Sequence, residues 1–128
     1  MSHRANYALC YFGELLGPDE ATLDVPWAEF AGNRTTEASF EIPAEPIDPY
    51  LELQAYEVGA FGHEIRVNDQ SLSGFDIPPA DGWQQWMDAI TGVDLRVGEN
   101  TLGVVRDGES DDSFVVGNVV VHWKELVE

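Results

Sequence analysis

Apolar and polar side chains alternate along most of this chain, and the alternation marks out a series of strands. Tyr7, Leu9 and Tyr11 oppose Ala8, Cys10 and Phe12, while Ala38, Phe40 and Ile42 oppose Glu37, Ser39 and Glu41. Leu51, Leu53 and Ala55 oppose Glu52 and Gln54; Tyr56 and Val58 then take the other parity, a slip that predicts a β-bulge near Ala55. Ile65 and Val67 alternate with Glu64 and Arg66, and Leu95 and Val97 with Asp94 and Arg96. A period of two buries one face of a strand and wets the other, as antiparallel sheets do.

Three segments break this simple pattern. Ser113 to Trp123 is apolar on both parities, with Val115, Val119, Val121 and Trp123 on one and Phe114, Val116 and Val120 on the other. Such a strand is central or covered on both faces. Asn118 interrupts its second face, and a buried amide needs partners, so it is expected to bond the backbone of a neighbouring loop. The run containing Leu23, Val25, Trp27 and Phe30 is strand-like, but Pro26 confines it to an edge or a bend. Trp83, Trp86, Met87 and Ile90 fall at helical spacing, with Asp81 placed to cap the start and Gly92 to end it. The spacing predicts a short helix over 83–91 that covers one end of the fold.

Turn-forming residues separate the runs at Asn68-Asp69, Gly98-Glu99-Asn100 and Asp107-Gly108-Glu109. Together these elements predict an all-β chain: an antiparallel β-sandwich with one short helix, forming a single domain over 1–128.

Charge changes the picture of the surface. There are 24 acids against 6 bases, a net charge of −18, and Lys124 is the sole lysine. The acids run through every segment from Glu14 onward, so they coat a globule and do not form a tail. A hydrophobic content of 44% with four tryptophans supplies a core that a disordered chain would lack. In dilute buffer the acidic coat repels itself; in molar salt the Debye length falls to about 3 Å and the repulsion fades. This acid-rich, lysine-poor composition resembles that of haloarchaeal proteins, which work in molar potassium chloride, and a cytoplasmic location is expected. Nucleic acid and anionic membrane are excluded as partners by the same charge. The apolar run after Arg4 is too interrupted for a leader peptide, and no stretch reaches transmembrane length. Cys10 stands alone, which excludes an intramolecular disulfide, and its apolar surroundings predict a small buried hydrophobe.

Candidate chemistry is sparse. Sugar-binding surfaces stack rings on exposed aromatics. Trp83, beside Gly82, is either such a platform or part of the core; Trp27, beside Pro26, is a second candidate; Trp86, Met87 and Trp123 read as core. His63 follows the flexible run Gly59-Ala60-Phe61-Gly62 and is expected at an exposed hairpin or on a ligand rim. His3, His63 and His122 show no metal-site spacing. The loop carrying Asp107, Glu109, Asp111 and Asp112 clusters carboxylates as a hard cation such as calcium requires, although it matches no EF-hand and a plain solvated loop has the same composition. There is no nucleophile elbow, P-loop, dinucleotide glycine set or Cys-x-x-Cys, which argues against an enzyme.

The second half has a familiar order. Glu64-Ile65-Arg66-Val67-Asn68 leads to a turn, then comes a segment with Trp83 and Trp86, then Leu95-Arg96-Val97-Gly98-Glu99-Asn100-Thr101-Leu102, then Phe114 to Val121 with Asn118 inside. Residues 50–123 thereby resemble the jelly rolls of the galactose-binding-like superfamily, with Asn68-Asp69 departing from the usual Asn-Gly. The resemblance implies that Gly98 and Asn100 shape a hairpin and do not touch a ligand, and that a structural calcium is compatible with the fold. Its members include carbohydrate-binding modules, interaction domains and accessory domains of enzymes, and an uncharacterised haloarchaeal family is the expected home. The expected function is a non-catalytic binding module for a carbohydrate, another small polar ligand or a protein. The alternative is a self-associating assembly protein, possible as a homodimer; an enzyme accessory or hydrolase is a third.

Overall fold

A computed structural model describes residues 2–72 and 76–127. Among the described residues there are nine strands: β1 (Ser2–Leu16), β2 (Glu29–Gly32), β3 (Ala38–Ile42), β4 (Ile47–Val58), β5 (Glu64–Val67), β6 (Gln70–Ser71), β7 (Ala80–Ala89), β8 (Gly98–Val105) and β9 (Phe114–Val127). They form a five-stranded sheet in the order β2-β1-β9-β4-β7 and a four-stranded sheet in the order β3-β8-β5-β6. Every pairing between these strands is antiparallel except the short parallel contact of β1 with β2.

The inward parity of each strand builds the core. Leu51, Leu53 and Ala55 of β4 and Val119, Val121 and Trp123 of β9 meet Phe40 and Ile42 of β3, Ile65 and Val67 of β5, and Leu102 and Val104 of β8. Burying one such side chain contributes about 1.5–3 kcal/mol, so the period-two pattern is what holds the sheets together.

β9 is the central strand of its sheet, as its two apolar parities predict, but the grouping of its residues differs. Phe114 and Val116 point inward with Val119, Val121 and Trp123. The parity switches between 116 and 119, where the register slips against both β1 (between Tyr11 and Glu14) and β4 (between Leu53 and Ala55). Val115 therefore packs in a separate cluster with Leu15 and Val25, beneath the segment that precedes β2. The parity change expected near Ala55 falls between Tyr56 and Val58, where Glu57 has φ 61° and the extra residue of the register shift lies on β7; opposite Leu53 and Ala55 the extra residue lies on β9.

The expected helix over 83–91 is absent: this segment lies almost wholly in β7, paired along β4 from Tyr50 to Val58. Two facts explain the difference. The pairs 83/87 and 86/90 are each four apart, an even spacing that suits a strand as well as a helix. Gly82, with φ 71°, breaks helical geometry at the proposed start, and the free edge of β4 supplies partners for the backbone. Of the apolar stripe, only Ile90 enters the core.

Leu95 to Val97 is likewise not a strand; β8 begins at Gly98 and runs straight through the expected turn. The buried Asn100 amide organises the loop before it. Its Oδ1 accepts from Arg96 N (3.0 Å) and Asn68 Nδ2 (2.9 Å), and its Nδ2 donates to the carbonyls of Arg96 (2.9 Å) and Gly98 (3.2 Å). Asn68-Asp69 is a two-residue hairpin turn with φ 51° and 63°, the primed geometry that suits strand twist.

Candidate functional site

Because Leu51, Leu53, Val119 and Val121 point inward, their neighbours point out. The outer face of the five-stranded sheet carries Tyr50, Glu52 and Gln54 from β4, Gln85 and Met87 from β7, Asn118, Val120 and His122 from β9, and Tyr7, Leu9 and Tyr11 from β1.

At one end of this face three rings converge. Trp83 lies 5.2 Å from Tyr56 and 5.7 Å from Trp27 between ring centroids, and Trp27 meets Tyr56 edge-on at 5.6 Å. Trp83 and Trp27 remain 54% and 56% exposed. The Trp83 indole extends across β9 over Gly117, where an added Cβ would come within 3.1 Å of the ring. Glycine at 117 thus allows the indole to rest against the sheet.

Beside the indole runs a groove of about 430 Å³ lined by Trp83, Gln54, Gln84 and Gln85. Its amides are oriented by their neighbours. Asn118 Nδ2 donates to Gln54 Oε1 (3.3 Å), Gln84 Nε2 donates to the Pro78 carbonyl (2.7 Å), and Gln85 Nε2 donates to Glu52 Oε2. Asn118 therefore bonds a side chain on a half-exposed face; the expected bond to a loop backbone is not formed. At the other end of the face, Tyr50 stacks on His122 (4.6 Å, 9°), and His122 Nε2 lies 2.6 Å from Glu52 Oε1.

The remaining sequence candidates lie elsewhere. His63 is neither an exposed hairpin residue nor a rim: it is buried, packed on Phe114 (4.3 Å). Its Nδ1 accepts from Asp107 N (3.0 Å), which assigns the ring proton to Nε2, and Nε2 donates to Asp112 Oδ2 (2.8 Å). Asp112 also accepts from the backbone of Gly59 (3.0 Å) and Ala60 (3.1 Å). Asp107 Oδ1 accepts from Glu109 N (3.0 Å), while Glu109 and Asp111 project into solvent. Among the described residues, no three histidines, cysteines or acids converge as metal ligands. The buried Arg106 completes this staple, donating to Asn33 Oδ1 (2.7 Å) and to the carbonyls of Asp107 (3.2 Å) and Ser110. Cys10 is buried as expected, and burial pushes its thiol pKa up.

Trp83 and Trp27 are thus brought together, and Trp86 and Met87 are surface residues, not core. Sequence reasoning missed Tyr56, Gln54, Gln84 and Gln85. The available signal was Gly117, since a lone glycine within a strand marks the close approach of another group.

Fold and face together define a two-sheet, largely antiparallel β-sandwich of the jelly-roll type. The chain belongs to the family of unknown function DUF7383, whose profile matches residues 4–125. No curated protein matches it. Among solved structures it is similar to the CBM36-1 domain of a multidomain xylanase from the hindgut metagenome of Trinervitermes trinervoides. That likeness has a TM-score of 0.56 and 9% identity over 95% of this chain and 100% of that one. A second similar structure is the Podospora anserina GH26-CBM35 β-(1,4)-mannanase, with TM-score 0.48 and 14% identity over 98% of this chain and 28% of that one.

Proposed function

We propose that this protein is a non-catalytic binding module for an uncharged carbohydrate, held in the groove beside Trp83. One observation carries the reading: an exposed indole lies against the sheet next to the amides of Gln54 and Gln85, on the same face. A sugar presents an apolar ring face and a rim of hydroxyls. The indole meets the first, and an amide, being donor and acceptor at once, meets the second. The net charge of −18 disfavours an anionic ligand. The sandwich shared with a carbohydrate-binding module supports the reading at the level of fold. The same charge suits a working environment of concentrated salt.

The test is a panel of neutral mono- and oligosaccharides in multimolar potassium chloride, read by tryptophan fluorescence and calorimetry. At least one sugar is expected to bind, and Trp83→Ala to weaken it about tenfold, the equivalent of ~1.4 kcal/mol of lost stacking. A panel without any response, or equal binding by Trp83→Ala, overturns the proposal.

A further inference from the structure

The five-stranded sheet has an open edge. β2 covers β1 only from Glu14 to Leu16, so among the described residues no strand pairs with Ser2–Gly13 on the side away from β9. Unpaired edges recruit other strands, and proteins blunt them with charge, proline, bulges or shortness. The other edges here are blunted in these ways. β7 carries Asp81 and Asp88, a glycine at φ 71° and two prolines just before it (Pro78, Pro79). β3 is 5 residues long, contains Glu41 and is followed by Pro43, and β6 is 2 residues long.

The open stretch of β1 carries a single formal charge, Arg4, and none of the other devices before the bulge at its far end. It contains no proline and no acid: in a chain with 24 acids the first is Glu14. Glu14 is itself buried and accepts from Thr36 N and Oγ1 (both 3.0 Å), so its charge faces inward. On β9, behind β1, the one acid before the last described residue is Glu125, which is buried and bonded to Asn6 Nδ2 (2.7 Å). A strip two strands wide therefore shows no exposed acid. Along its rim stand Tyr7, Leu9 and Tyr11, exposed to 66%, 58% and 73%.

We propose that a second copy of this chain docks there, β1 against β1, antiparallel about a two-fold axis. The occupant follows from charge. Two bodies of net charge −18 repel each other at every acidic surface, and this edge is where that repulsion is smallest. A register centred on Ala8 sets Tyr7 of each copy against Leu9 of the other and Ala5 against Tyr11. These are same-face apolar pairs of the kind that stabilise antiparallel sheets, and Arg4 faces Phe12, not a like charge. The two five-stranded sheets join into one.

Static light scattering over a concentration series, at low and multimolar potassium chloride, tests this. The expected mass in high salt is twice the 14.2 kDa of the chain, with the dimer fraction rising with salt as repulsion is screened. Leu9→Glu and Tyr7→Glu are expected to return the mass to that of the single chain, while Phe61→Glu, on an exposed loop, leaves the dimer intact. Amide exchange on the unaltered protein provides a readout that requires no variant: protection of Ser2–Tyr11 should rise with protein concentration. A wild type monomeric under all conditions, a dimer that survives Leu9→Glu, or β1 exchange independent of concentration overturns the proposal.

Discussion

Replacing Asp112 by alanine should unfold the loop corner of this sandwich at a cost calculable from its contacts. The carboxylate accepts from Gly59 N, Ala60 N and His63 Nε2. The two backbone groups lie at the surface and regain water when the acid is removed, so their loss is small. His63 cannot do so: its side chain is 0% exposed, and its Nε2–H would be left buried without an acceptor. An orphaned buried donor costs about 1–3 kcal/mol, and a hydrogen bond to a charged group contributes about 1.5–3 kcal/mol. The expected loss is therefore about 3 kcal/mol, or roughly 10 °C in melting midpoint for a chain of this size. Asp112→Asn keeps an acceptor and should lose about half as much. Asp111→Ala, on an exposed side chain, should stay within about 0.5 kcal/mol of wild type. Chemical denaturation in constant high salt, with calcium or with chelator, measures all three. Because Asp112 is occupied by protein donors, calcium should leave the midpoints unmoved. An Asp112→Ala protein as stable as wild type, or a loss that appears only when calcium is present, would refute the reasoning.

Three further outcomes are expected. Gly117→Val should push the Trp83 ring off the sheet, red-shift tryptophan emission and abolish any sugar response while strand content is retained; an unchanged spectrum would remove the platform geometry. Burial raises the Cys10 thiol pKa, so the folded state holds its proton more tightly. The stability this contributes is present below the ordinary thiol range and is lost as pH rises through the raised value. Cys10→Ala should flatten that alkaline loss, and a thiol reagent should label native Cys10 only as fast as the sheet opens; immediate labelling would contradict its burial. Finally, the acidic coat predicts a thermal midpoint that climbs with potassium chloride, and equal midpoints at low and multimolar salt would sink the halophilic reading.

Alternation by itself determined that the chain is all-β, where β1, β3, β4, β5 and β9 lie, that β9 is central, and that β4 changes parity just after Ala55. These are local properties: a side chain's face follows from its parity, and burial acts on parity directly. Composition likewise determined the sign of the surface, and the apolar neighbours of Cys10 determined its burial. The tertiary structure alone decided whether 83–91 coils or pairs, because an i, i+4 apolar spacing suits both periods and the free edge of β4 casts the vote. It alone converted His63 from a rim residue into a buried staple, since Asp112 lies 49 positions away in sequence. It also decided that Tyr56, Trp27 and Trp83 meet, with the Trp83 ring lying over Gly117. That meeting depends on how β4, β7 and β9 lie side by side and on the segment before β2 folding back, a relation between distant strands that no local period encodes.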